Sequence, residues 1–289
     1  MNHEALISVC IPTFNGARYL RETLASVADQ TYKNIELIIS DDNSTDETLA
    51  IAESFKSEAA FPVIIYNHSP GGIGANWNNC ILHSNGKYIK FIFQDDFMEP
   101  SCIEEMLFAI EQSNEKICVC KRNIIVDGNY QNNDDLKRWL SVFGDLQKNI
   151  SIHERNNYKI ITKSIFSDKR FLEQPYNKIG EPIVGLIDRI VFEKTGLYNT
   201  SGKQFIDYEF WYRALKNFDF VFLEKHLVNF RVHFLQATRV NERSKLNEFP
   251  LYLNFVEKNL KEMLDPGIKK KWFSYFVTLK RKIAYRLRN

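Results

Sequence analysis

Hydrophobic positions at the start of the chain fall into short continuous runs separated by stretches of helical spacing. Residues 6–12 (LISVCIP), 35–40 (IELIIS), 62–66 (PVIIY) and 87–93 (KYIKFIF) are apolar and rich in β-branched or aromatic side chains, the mark of strands buried on both faces. Between the first two, Leu20, Leu24 and Val27 share one helical face. Ser44-Thr45-Asp46-Glu47 reads as a capping box opening a helix with Thr48, Ile51, Ala52 and Phe55 on its apolar side, and residues 73–84 read as a third helix. Such alternation predicts an α/β fold with a mostly parallel sheet and helices on both faces. Ligands of such sheets bind beyond the carboxyl ends of the strands.

The regularity stops at residues 127–178, which are rich in Asn, Lys and Asp, with isolated aromatics and no sustained period. Their length predicts a functional insertion or mobile loops. Order returns at 181–192, in a helix near 204–216, and in strands near 218–223 and 227–233. Helical spacing fills 246–264. We therefore divide the chain into a first half, 1–126, a second half, 127–240, containing the insertion 127–178, and a C-terminal extension, 241–289.

The 289 residues are 44% hydrophobic, 13% aromatic and 26% charged, the balance of a globular chain with a sizeable core and not of a disordered one. No apolar run reaches the roughly 18 residues of a membrane span. The N-terminus lacks the basic and apolar regions of a signal peptide, and five scattered cysteines read as reduced thiols. A cytoplasmic protein is the expectation. The net charge of +2 is unevenly distributed. No acidic residue follows Asp265, whereas Lys269, Lys270, Lys271, Lys280, Arg281, Lys282, Arg286 and Arg288 do, so an acidic body carries a basic tail. As a helix, the tail aligns Trp272, Phe276, Leu279, Ile283 and Leu287 on one stripe. That pattern suits the inner face of an anionic membrane, with packing on the body as the bland alternative. No nucleic-acid partner is expected.

Three polar clusters sit at predicted strand ends. Pro12-Thr13-Phe14-Asn15 and Ser40-Asp41-Asp42-Asn43-Ser44 follow the first two strands, where they could hold a nucleotide or merely form a capped turn. Asp95-Asp96 follows the fourth strand. Adjacent carboxylates repel unless a cation or donor compensates, so they read as a divalent-metal site or as helix caps. Asp207-Tyr208-Glu209 opens a late helix, and His233 ends a late strand. No GxGxxG or Walker sequence is present, which argues against a dinucleotide site or a P-loop.

Taken in order, ISVCIPTFNGARYL, IELIISDDNSTDET and GGIGANWNNCILHSNGKYIKFIFQDDFMEP resemble the family-2 inverting glycosyltransferases of the GT-A fold. The likeness covers about residues 1–110 and resumes loosely at 179–236. The resemblance implies transfer of a sugar from a nucleoside-diphosphate donor, UDP-linked in preference to dTDP-linked, to a hydroxyl of a glycan or lipid-linked glycan in surface-polysaccharide synthesis. It implies that Pro12, Thr13, Phe14, Asp42, Asn78 and Asp95 bind the nucleotide, that Asp96 and His233 hold Mg²⁺ or Mn²⁺, that Asp207 is the catalytic base, and that Gly180 and Glu181 border the acceptor. Phe93 stands where the fuller DxDD pattern has its first Asp, and Ile206 replaces an acidic residue that often precedes the base. These departures keep open a catalytically inactive nucleotide-sugar-binding or scaffold protein of the same fold. Nucleotidyl transfer on a similar fold is a third possibility.

Removing residues 266–289 is expected to release the protein from anionic vesicles, and binding of the intact chain is expected to weaken as salt rises. Co-sedimentation checks this, and a truncated chain that still sediments with the vesicles counts against the tail.

Overall fold

A computed structural model of the chain describes residues 5–128, 134–148, 150–234, 236 and 248–270. The apolar stripe predicted at 272–287 lies outside these residues. The two most continuous hydrophobic runs form β1 (Ile7–Thr13) and β2 (Ile35–Asp41), every residue of which is buried. They pair in parallel from Ile7 and Ile35 to Thr13 and Asp41. On its other side β1 pairs in parallel with β4 (Tyr88–Phe91), and β3 (Val63–Asn67) extends the sheet beyond β2. The helices between them cover its faces. Helix α1 (Ala17–Ala28) buries the expected Leu20, Leu24 and Val27, α2 (Thr48–Glu58) buries Ile51 and Ala52, and α3 (Ile73–Leu82) buries Trp77, Cys80 and Ile81.

The capping box predicted for α2 forms differently. Ser44 Oγ donates to Asp41 Oδ1 (2.6 Å) instead of reaching the helix, and Asp46 Oδ1 accepts from Thr48 N (3.0 Å). Asp46 Oδ2 also accepts from Ala17 N (3.1 Å) at the start of α1. One carboxylate thus serves two helix N-termini. Burial opposes its ionisation, but the hydrogen bonds from Thr48 and Ala17 win and hold the carboxyl below its ordinary value.

Beyond β4 the sheet continues through β9 (Gly185–Asp188), β6 (Ile117–Val126), β10 (Phe220–Val232), β8 (Tyr158–Ile161) and β7 (His153–Arg155), while the short β5 (Phe97–Met98) pairs with β10. Strand β9 runs antiparallel between β4 and β6, and β6 pairs in parallel with β10. The sheet is therefore mixed but mostly parallel in its first half, and it crosses the 126/127 division without a break. The two late strands predicted from sequence are one. β10 runs through Glu224-Lys225-His226 with register shifts on both sides of His226, a bulge that lets a long strand bend without ending.

Segment 127–178 also holds more structure than its composition predicts. Helix α5 (Asp134–Phe143) is followed by a β7–β8 hairpin whose turn residues, Asn156 and Asn157, both have positive φ (51° and 65°). Two such residues make the turn that matches strand twist. β8 then docks on β10 through the buried Ile160 and Ile161. The hairpin strands, of 3 and 4 residues, are too short to show a period, whereas α5 carries a helical stripe at Leu136, Trp139, Leu140 and Phe143. Four further α-helices complete the fold of the described residues: α4 (Cys102–Ser113), α6 (Arg189–Thr195), α7 (Ile206–Leu215) and α8 (Phe249–Asn259), which packs on α7. All five cysteines are buried and free. Among the described residues no helix is long and apolar enough to cross a membrane.

Near the N-terminal ends of β1 and β2, opposite the polar clusters, buried Glu36 accepts from Ser8 Oγ (2.6 Å), Asn85 N (2.5 Å), Asn85 Nδ2 (3.1 Å) and Gly86 N (3.1 Å). It joins β1, β2 and the turn into β4. Burial works against its charge, and these donors outweigh burial, so its carboxyl is held below the ordinary value. A depressed folded-state value stabilises the fold above the ordinary carboxylate range and is lost as pH falls through the folded value. Glu36→Gln is therefore expected to cost about 1–3 kcal/mol at pH 7, with the deficit shrinking toward pH 3. Urea unfolding of both proteins across that range checks it.

Candidate active site

The carboxyl ends of β1 and β2 are tied into one platform. Thr13 Oγ1 donates to Asp41 Oδ1 (2.7 Å), and Asp41 Oδ2 accepts from Ser44 N (2.7 Å). Asn15, in the left-handed region at φ 49°, accepts from Thr45 N (2.8 Å). Asp41 is spent on the turn. Asp42 points elsewhere: its oxygens accept from Gly71 N (2.6 Å) and Gly72 N (3.0 Å), with His68 Nδ1 at 3.6 Å. It thereby fixes the loop leading into α3. Pro12 and Thr13 are buried at the strand end, while Phe14 is 53% exposed at its tip. Asn78 is buried and turned away from this platform, clamping the Tyr198 backbone through Tyr198 N (2.9 Å) and Tyr198 O (2.8 Å).

Gln94, which the sequence reading did not single out, links this platform to the next. Its side-chain amide accepts from Phe14 N (2.8 Å) and donates to Phe14 O (3.0 Å), imitating one rung of strand pairing. Asp95 and Asp96 follow, and they differ sharply. Asp96 is 1% exposed. Its Oδ1 accepts from Arg231 N (2.8 Å), and its Oδ2 has no hydrogen-bond partner among the described residues. Burial first, and then the neighbouring charges of Asp95 and Glu181, push its carboxyl well above the usual carboxylate range. Asp95 is the more accessible member, and its Oδ2 lies 2.8 Å from His233 Nε2. Arg231 braces the pair by donating to Asp95 O (2.9 Å) and to Glu22 (2.5 Å). Both Arg231 and His233 come from the end of β10.

Glu181 and Asp207 approach from the other half. The backbone bends at Gly180 (φ 136°), whose carbonyl accepts from Trp211 Nε1 (2.8 Å). Glu181 follows and pairs with Arg122 of β6. Arg122 is nearly buried, donates to Phe143 O (2.7 Å) and lies 4.7 Å over the Phe230 ring. Asp207 stands in the first turn of α7, partly buried, with Oδ1 accepting from Tyr208 N (2.8 Å) and Oδ2 from Asn177 Nδ2 (2.9 Å). Burial, followed by the charge of Glu181, pushes its carboxyl up to about 8. Its neighbour Glu209 is occupied differently, pairing with Arg213 (2.8 Å). Glu248 holds the approach to α7 by accepting from Lys203 N (2.7 Å), Gln204 N (2.7 Å) and Phe205 N (3.2 Å).

Asn177 thus links Asp207 to the Gly180–Glu181 bend, Glu181 pairs with Arg122 on β6, and the adjoining β10 supplies the partners of Asp95 and Asp96, so these acids are joined by one run of contacts. Phe93 stacks on Trp77 at 5.1 Å beneath this strand end, and Ile206 is core. Among the described residues, no three His, Cys, Asp or Glu side chains gather closely enough to hold a metal by themselves. Asp95, more exposed than Asp96, is paired with the buried His233, and Asp96 contributes an unpartnered oxygen. Such a partial set suits a cation whose remaining ligands come from diphosphate oxygens. Gln94, Arg122, Asn177 and Arg231 were not anticipated. Gln94 and Arg231 do adjoin motifs, but Arg122 and Asn177 carry no local signal.

The family model described as Glycosyl transferase family 2 matches residues 8–172, more than half of the chain. It runs through most of the segment predicted to be an insertion and stops short of Asp207 and His233. An uncharacterized glycosyltransferase of Rickettsia prowazekii is 30% identical over 264 residues, covering 90% of this chain and 74% of that relative. Among solved structures, residues 1–349 of S. aureus TarS in complex with UDP-GlcNAc have a TM-score of 0.65 at 17% identity, covering 94% of this chain and 71% of that one. The chain spans 42% of the longer TarS structure. A Pyrobaculum calidifontis mannosyltransferase in complex with GDP-Man and Mn²⁺ has a TM-score of 0.62 at 13% identity, covering 95% of this chain and 70% of that one. At these identities the structural likeness is one of fold, and that fold is GT-A.

A Cβ on Gly180 would meet Val184 Cγ2 at 2.9 Å and Cγ1 at 3.0 Å, at a φ that side-chain-bearing residues rarely adopt. Gly180→Ala is expected to destabilise the protein by about 1–3 kcal/mol and to displace Glu181. Thermal unfolding checks the first effect, and an unshifted midpoint would mean that the bend tolerates a side chain.

Proposed function

The chain belongs to glycosyl transferase family 2, and on that premise we propose that it moves a sugar from a nucleoside-diphosphate donor to a glycan or lipid-linked glycan hydroxyl in one inverting displacement. The observation that carries this reading is a chain of contacts: Asn177 ties Asp207 to the Gly180–Glu181 bend, Glu181 pairs with Arg122 on β6, and the adjoining β10 brings Arg231 to Asp96 and His233 to Asp95. A cation-compatible cluster and a separate carboxylate with a raised titration point then flank the same ground. The UDP-GlcNAc and GDP-Man named for the two structural neighbours support a nucleotide-sugar donor. UDP is the favoured carrier.

In this reading Pro12, Thr13, Phe14 and Asp42 line the nucleoside pocket, with the exposed Phe14 ring offering a face for stacking. Asp96 and His233 would hold Mg²⁺ or Mn²⁺, with Asp95 on the nucleotide side, and the cation would offset charge on the departing nucleoside diphosphate. Gly180 and Glu181 border the acceptor. Asp207 takes the acceptor proton as the hydroxyl attacks, because an alcohol is a weak nucleophile at neutral pH and a carboxylate in hydrogen-bond reach removes that barrier. Its raised titration point makes it a better proton acceptor once ionised, but leaves it mostly protonated below pH 8. The acceptor belongs to a surface polysaccharide, and the basic tail brings the enzyme to the membrane where a lipid-linked acceptor resides.

Transfer is expected to rise with pH, roughly tenfold per unit below about 8, as Asp207 ionises. Asp207→Asn should abolish that limb and lower transfer by about 10²–10⁴-fold. Because one of the two N–H donors to Asp207 would then face an amide NH₂, thermal stability should fall modestly, while UDP binding with Mn²⁺ should survive. A D207N protein that transfers at the parent rate would sink the base assignment.

A further inference from the structure

The Asn177 side chain uses its full hydrogen-bonding capacity on one corner of the site. Its Oδ1 accepts from Ile179 N (3.0 Å) and Gly180 N (2.9 Å), while Nδ2 donates to Gly180 O (2.9 Å) and to Asp207 Oδ2 (2.9 Å). The two backbone N–H groups fix which end of the amide is oxygen, so the end facing Asp207 is the donor. Asp207 Oδ1 receives its own donor from Tyr208 N. Each carboxylate oxygen therefore has one protein donor, and its remaining lone pair is left for a substrate proton. The same Gly180 carbonyl is held by Trp211 Nε1 (2.8 Å), and Glu181 is the next residue.

We propose that Asn177 is the positioning residue of the base: it sets the orientation of Asp207 and couples that carboxylate to the Gly180–Glu181 loop. This rests on the reading of Asp207 as the base. The chemical reason is directional. An N–H aimed at one oxygen stabilises the ionised carboxylate and restricts its rotation, so the basic lone pair faces the acceptor instead of the protein. Movement of the 177–181 loop on acceptor binding is then felt at Asp207 through a single amide. The other titratable groups facing Asp207 are Glu181 from the loop, Tyr198 from the segment after α6, and Tyr208 and Tyr212 from α7 itself. Among the described residues none of these side chains donates to an Asp207 oxygen, and Tyr208 reaches it through its backbone N–H alone.

The test compares transfer rates from pH 6 to 10, together with UDP binding in Mn²⁺, for Asn177→Asp, Asn177→Ala and Asp207→Asn. Asn177→Asp keeps the acceptor for Ile179 and Gly180 but sets a second carboxylate against Asp207. Its acid limb should move up by about one unit or more, lowering transfer at pH 7 roughly tenfold with UDP affinity unchanged. Asn177→Ala removes the donor without adding charge; it should shift the limb in the same direction, lower kcat and leave the donor KM in place. If N177D does not fold, N177A carries the comparison, with Asn177→Ser as its smaller polar counterpart. A parent-like limb and kcat in these variants, alongside an inactive D207N, overturns the role of Asn177 and leaves the base reading standing. An active D207N removes the base reading itself.

Discussion

Four carboxylates crowded at one end of a sheet cannot all stay ionised, and the site is organised around that repulsion. Each close like-charged pair costs a few kcal/mol at the effective dielectric of a protein interior. The fold answers with a different device for each acid. Asp95 faces His233, Glu181 pairs with Arg122, and Asp96 takes a backbone N–H from Arg231. Asp207, with only amide donors, retains its proton to unusually high pH. A divalent cation or a substrate hydroxyl would enter a place where negative charge is already concentrated and only partly offset.

Strand β10 is the element that makes this possible. Its end delivers Arg231 and His233, its pairing with β6 brings Arg122 alongside, and its bulge at His226 keeps thirteen residues in one sheet while the register changes. Behind the acids, Trp77, Phe93, Tyr198 and Phe210 form a packed aromatic layer joining α3, the β4 end and α7. Phe93 therefore contributes packing at the position where the fuller motif would add a further negative charge. That substitution leaves Asp95 and Asp96 as the carboxylates of this strand end.

The order of the early elements was readable because its causes are local. Strands buried on both faces leave continuous apolar runs, and helix stripes repeat every three to four residues. β1 to β4, the covering helices and the positions of Asp42, Asp95 and Asp96 at strand ends all follow from this. The later half was less readable for equally physical reasons. The β7–β8 hairpin is too short to show a period, and β10 carries polar residues at its bulge, so it reads as two strands. The Ser44 box went elsewhere because Asp41, nearer in space, competes for the same hydroxyl.

The sequence by itself determined the class of fold, the acids available and the ends of the sheet at which they would lie, since these depend on residues close along the chain. Tertiary structure alone decided which of the adjacent aspartates is buried and that Asn78 braces a distant backbone. It also decided that Arg122, Arg231 and Asn177 manage the charges. Those outcomes depend on desolvation and hydrogen bonds between residues some 30 to 140 positions apart, and no local pattern encodes a contact at that separation.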